Sequence, residues 1–75
     1  MSIQIGVVGK IISGDEKGRY VKIIDDDKNT GGYLILTSTY PNFSDGYDNW
    51  VQDHETLVRF FEESRWIVDW KLIGV

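Results

Sequence analysis

The change of hydrophobic period near residue 65 constrains this chain more than any other feature. In the stretch 47–70, YDNWVQDHETLVRFFEESRWIVDW, Leu57, Phe60 and Phe61 stand at i, i+3 and i+4, and Val58 widens the stripe. That spacing places four apolar side chains on one side of a helix of about three turns. Trp66, Val68, Trp70 and Leu72 then alternate with Ile67, Asp69, Lys71 and Ile73. Period two with β-branched and aromatic residues means a strand. One amphipathic helix joined directly to a strand must bury its stripe on a sheet, which predicts an α+β domain. Asp53 is the natural N-cap, and Glu55 sits in the first turn, where the helix dipole favours negative charge. Glu62, Glu63 and Ser64 close the helix without a C-terminal glycine, so it is expected over about 53–64. Both faces of the last strand are apolar at its start, which predicts an internal position.

Upstream, residues 3–12 read as a first strand, with Ile3, Ile5 and Val7 alternating against Gln4, Gly6 and Val8. Gly6 and Gly9 suggest a bulge or a close backbone approach. They form no phosphate loop, because the GxxG before Lys10 lacks both the spacing and the following helix. Residues 13–18 (SGDEKG) predict a turn, making 19–25 the hairpin partner. A polar loop, DDDKNTGG at 25–32, precedes a third, apolar strand at 33–38. Residues 39–52 then read as a connection, holding Pro41 and the rings of Tyr40, Phe43, Tyr47 and Trp50. Connections of this length are often functional. Trp50, one turn before the helix, is expected to pack back on Leu57 as a staple. The prediction is one domain over 1–75, ordered β-β-β-α-β, with a mostly antiparallel four-stranded sheet and the helix on one face.

Size and composition limit the chemistry. A chain of 75 residues buries only about 60% of its unfolded surface, leaving little room for a deep cleft. No cysteine staples it, so its ten aromatic residues are the expected substitute. The absence of cysteine, of a signal-like start and of any transmembrane-length run predicts a cytoplasmic protein with no membrane contact. Nucleophilic catalysis lacks a Cys, and His54 is the sole histidine, at the start of the helix. A zinc site lacks its usual ligands. Asp25, Asp27 and Asn29 open like a calcium loop, but Thr30 stands at the glycine position and Leu36 at the terminal glutamate. A polar turn is the better reading there. Asp45, Asp48 and Asn49 around Gly46 form a second oxygen-rich cluster. Pairs such as Asp48 with Asp53, or Asp53 with Glu55, lack the shielded pocket that acid–base work needs. No enzyme activity, cofactor or metal is expected.

Surface recognition remains. The net charge is −4, and residues 40–63 hold Asp45, Asp48, Asp53, Glu55, Glu62 and Glu63 against Arg59 alone. That balance is opposite to a nucleic-acid binder's and suits a basic protein partner. Tyr40 and Tyr47 add ring anchors of the kind interfaces favour. The candidate partner-binding residues are therefore Tyr40, Asp45, Tyr47, Asp48, Asp53, Glu55, Glu62 and Glu63.

The segment 31–70, GGYLILTSTYPNFSDGYDNWVQDHETLVRFFEESRWIVDW, resembles the small acidic immunity proteins of bacterial toxin–immunity systems, including the contact-dependent and polymorphic toxin systems. The shared features are a Gly-Tyr-hydrophobic strand, an aspartate-rich aromatic loop ending D-x-W, a short helix ending FFEES and a final Trp-bearing strand. The resemblance implies a cytoplasmic protein that blocks one cognate toxin, often a basic nuclease, with its acidic surface. Two rival readings follow from the residues. One is a DNA mimic whose carboxylates imitate phosphates and inhibit a nucleic-acid-binding protein. The other is a self-associating subunit, monomer becoming homodimer, joined through Trp66, Trp70 and Ile73.

Overall fold

The computed structural model describes residues 3–70. Five strands and one helix follow in the order β1 (Val8–Ser13), β2 (Tyr20–Asp26), β3 (Gly32–Ser38), β4 (Tyr47–Val51), α1 (His54–Ser64) and β5 (Ile67–Asp69). The strands form one sheet in the order β4-β3-β2-β1-β5, and every neighbouring pair is antiparallel. Helix α1 carries the chain from the β4 edge across one face to β5 at the opposite edge. The fold is α+β, as the period change requires. No helix among the described residues is long and apolar enough to cross a membrane.

Register decides which residues meet the helix. Ile35 lies opposite Ile23, Thr37 opposite Val21, and Val21 opposite Gly9. Ile11 lies opposite Val68 on the far side. Because side chains alternate across a strand, Ile11, Val21, Ile23 and Ile35 share one face, and all four are fully buried. Leu57 and Phe61, one turn apart on α1, close over them. Gly9 is buried in this layer because Val68 and Trp70 occupy the space of a side chain there. Burial of each such aliphatic or aromatic side chain contributes about 1.5–3 kcal/mol.

Trp66 anchors the far end. Its ring meets Phe61 edge-to-face at 5.1 Å and Phe60 at 5.4 Å, and its indole N–H donates to the Asp15 carbonyl at 2.6 Å. The helix therefore ends against the β1–β2 turn, where the Asp15 N–H donates to the Ser64 carbonyl at 2.9 Å. Arg65 takes the left-handed cap conformation at φ 57° that glycine usually supplies. Its N–H donates to Glu62 and that of Trp66 to Phe61, so the missing glycine costs the helix no terminal bonds.

Three expectations need correction. The sheet has five strands rather than four, because Tyr47–Val51 pairs with β3 inside the expected 39–52 connection. Asp48 and Asn49 are weak strand formers, and pairing to β3 overrides that preference. The first strand starts at Val8 rather than residue 3, since Gly6 turns at φ 77° and leaves Ile5 and Val7 exposed. The last strand lies at an edge beside β1, not inside the sheet. Lys71, Leu72 and Ile73, the rest of that expected strand, lie outside the described residues.

The β1–β2 turn gives a test of this packing. Gly14 and Gly18 both have positive φ, 97° and 94°, but only Gly14 abuts backbone, the carbonyl of Arg65. Gly18→Ala is expected to cost about 1 kcal/mol from conformation alone. Gly14→Ala is expected to cost about 2–4 kcal/mol, because the Arg65 cap and Trp66 must also shift. Urea unfolding of the two variants measures the difference; equal losses would show that the helix end is not seated on this turn.

Candidate interaction surface

The loop 39–46 is locked by its own polar groups. Asp45 accepts from the Ser38 hydroxyl and from the Thr39 N–H at 3.0 Å. The same Ser38 oxygen accepts from the Tyr40 N–H at 3.1 Å. Ser38 is fully buried, so Asp45 ties the loop to the end of β3. The Ser38 bond first, then the Thr39 N–H, holds the Asp45 carboxyl below its ordinary value. The Phe43 N–H donates to the Tyr40 carbonyl at 3.0 Å, and Phe43 sits at φ 56°, a costly conformation for a bulky residue. Tyr40 is left 52% exposed.

Strand β4 follows, with one edge on β3 and the other unpaired among the described residues. Its alternation turns Tyr47, Asn49 and Val51 toward the helix side, and Asp48 and Trp50 toward the side without a helix. The Tyr47 hydroxyl donates to Glu16 at 2.9 Å, and the Arg19 guanidinium lies 5.6 Å from its ring centre. Arg19 also pairs with Glu16 at 3.3 Å and donates to Thr39 at 3.0 Å. The Glu16 bond raises the Tyr47 phenol above its ordinary value. Through Tyr47 and Thr39 this Glu16–Arg19 pair joins the β1–β2 turn to β4 and to the loop 39–46, and no local pattern in the sequence announces those links.

Trp50 does not staple the helix. Period two sends it to the face opposite Leu57, where its indole N–H donates to Thr30 at 2.8 Å and its ring occupies the space beside Gly32. Val51 is the residue that turns inward, at 6% exposure. The face that Trp50 shares also carries half-buried Ile24, Leu34 and Leu36, and no described element covers it.

The acidic residues divide by task. Asp53 is the N-cap, its carboxylate accepting from the Thr56 N–H at 2.8 Å, and that bond lowers its pKa. Glu55, Glu62 and Glu63 share the outer face of α1 with Arg59, at spacings of four, seven and eight residues. Arg59 reaches Glu55 at 3.4 Å, an exposed pair of little energetic weight. Tyr47 and Asp48 share β4 but face opposite sides, and Tyr40 lies in the loop beside them. The structure thus brings Glu55, Glu62 and Glu63 together, keeps Asp48 apart, and engages Asp45 with the Ser38 hydroxyl and Thr39 N–H and Asp53 with the Thr56 N–H.

The calcium-like run is a turn closed by its own oxygens. Asp25 accepts from the Asp27 N–H at 3.0 Å, and Asp26 from the Asn29 side chain at 3.0 Å. Among the described residues no group of three or more His, Asp or Glu is placed to hold a metal ion. His54 is exposed at the helix start, edge-to-face with Tyr33 at 6.1 Å. Comparison with protein-family models, curated proteins and solved structures finds no match, so the reading of the surface rests on its geometry.

Both bonded aspartates make a pH prediction. Their folded pKa values lie below the ordinary 3.8, so the stability they add is present above that value and is lost as pH falls through the folded one. Asp45→Asn and Asp53→Asn are each expected to lower the urea midpoint at pH 7. Each should also flatten its fall between roughly pH 5 and pH 2. An acid limb identical to the parent's in both variants would remove these bonds as its source.

Proposed function

We propose that this protein is a non-catalytic binding protein that neutralises a basic protein partner, as the immunity proteins of bacterial toxin systems do. The partner on this reading is a cognate toxin, with a basic nuclease the class that an acidic surface suits best, and the setting is the cytoplasm. The observation that carries the reading is the set of half-exposed rings on and beside β4: Tyr40 at 52%, Tyr47 at 57% and Trp50 at 48%. A chain this small that leaves three large rings in water is offering contact area of the kind interface cores use. The carboxylates of Glu55, Glu62 and Glu63 on α1, and separately that of Asp48 on the other face of β4, supply the field that draws a basic partner. Asp45 and Asp53 support recognition indirectly, by holding the loop under Tyr40 and the start of α1. Arg59 interrupts the acidic helix face, which favours a protein partner over mimicry of an evenly charged DNA backbone.

The test is capture from the source cell with tagged protein at low and moderate salt. The parent is expected to retain one basic protein in near-equal amount and to release it with salt. A Glu55→Lys, Glu62→Lys variant should retain about tenfold less, with a flatter salt dependence. Expression of the captured protein alone should arrest growth, and co-expression should restore it. Retention indifferent to charge reversal, or recovery of only this chain, would overturn the reading.

A further inference from the structure

The two edges of the sheet differ in a way that points to how a partner docks. Among the described residues the β5 edge is three residues long, and its pairing with β1 is broken by an irregularity between Ile11 and Ser13. Short length and bulges are the usual protections of an edge. The β4 edge has neither. Its five pairs with β3 run in unbroken register from Tyr33↔Val51 to Thr37↔Tyr47. It contains no proline or lysine, and four of its five residues are exposed. Among the described residues no strand pairs with its outer row of backbone N–H and C=O groups, which is the arrangement that accepts another strand.

A shallow open groove of about 260 Å³ lies at the start of the same strand, walled by Leu36 and Phe43, with Asp45 and Asp48 among its lining. Leu36 and Asp48 are direct cross-strand partners, so an apolar wall and a carboxylate stand side by side. A long aliphatic side chain with a cationic head matches that pairing. The charge around the edge agrees. From residue 29 to residue 58 the sequence holds Asp45, Asp48, Asp53 and Glu55 and no Lys or Arg. Arg19 is occupied by Glu16 and Thr39 on the helix side. Lys22 lies two strands inward of Asp48, about 10 Å away.

We propose that β4 is a docking strand. An extended basic segment of the partner pairs along it as a sixth strand, and one Lys or Arg side chain of that segment lies over Leu36 and Phe43 against Asp48. Backbone pairing supplies the affinity, and the groove with its Asp48 carboxylate selects the basic side chain. On the same face the residue two positions along meets Trp50, whose ring accepts a second cation or an aliphatic chain. The proposal rests on the partner reading above and adds how the partner is held.

The probe is the peptide acetyl-Lys-Val-Lys-Val-Lys-Val-amide, followed by amide hydrogen exchange and NMR shifts. Slowed exchange along β4, with shifts at Leu36, Asp48 and Trp50, is the expected result. The Glu-for-Lys peptide and a peptide N-methylated at every amide should each bind about tenfold more weakly. Asp48→Lys should weaken the Lys peptide to a similar degree. Phe43→Gly keeps a left-handed turn that glycine accepts, and should reduce binding while leaving the urea midpoint no lower. Equal binding of the N-methylated peptide, or no protection along β4, overturns strand addition. Protection that grows with protein concentration alone also overturns it, in favour of a second copy. If a captured basic partner protects the outer face of α1 and leaves β4 unchanged, strand addition fails and the partner reading stands. If the peptide docks on β4 and no basic partner is retained, the docking strand stands and the neutralising function fails.

Discussion

The seating of Trp66 is the interaction on which the rest of this structure depends. Its ring fills the end of the core against Phe60 and Phe61, and its N–H satisfies the Asp15 carbonyl. A buried indole needs both apolar walls and a partner for its one donor, and only the junction of the helix end with the β1–β2 turn supplies both. With Trp66 placed there, α1 must cross the sheet and deliver β5 to the edge beside β1. The left-handed Arg65 is a consequence, because the chain has to leave the helix at once to bury the next side chain. Phe61 also stacks on Trp70 at 6.3 Å, so one aromatic group holds helix, turn and last strand together in a chain without disulfides.

Acidic residues in this protein serve two distinct purposes, and the sheet and helix separate them. A carboxylate that can reach two unpaired donors is drawn into the fold, as Asp45 is by Ser38 and Thr39. One at a helix start is drawn to the first-turn N–H groups, as Asp53 is. Those on the outer face of α1 have no such donors and remain as surface field. The division follows from local geometry rather than from position in the sequence, and it explains why an acidic stretch acts as several small elements instead of one patch.

The edge at β4 unites the functional features. An edge strand is a liability in a small sheet unless something shields its free side or uses it. Here the rings of Tyr47 and Trp50 flank it on opposite faces, the tightly bonded loop 39–46 precedes it, and the N-cap of α1 follows within two residues. A rigid edge presented between two ordered connections restricts the orientations in which a partner can pair, which lowers the entropy lost on docking.

The sequence by itself determined the α+β class, the β1–β2 hairpin, the helix with its Asp53 cap and the apolar stripe Leu57, Val58, Phe60 and Phe61, of which packing fully buries Leu57 and Phe61. These follow from local periodicity and local hydrogen-bonding chemistry, which do not depend on distant residues. Tertiary structure alone decided that Tyr47–Val51 is a strand, since Asp48 and Asn49 argue against one and only the β3 ladder stabilises it. It decided that Trp50 faces away from the helix, because alternation counts from a strand that the local pattern does not reveal. It also decided the edge position of β5 and the Glu16–Arg19–Tyr47 group, which join residues far apart in sequence. Of the candidate site, the residue types were legible, while their sharing of faces was not: which side chains stand together is set by strand register and helix crossing, and both are long-range.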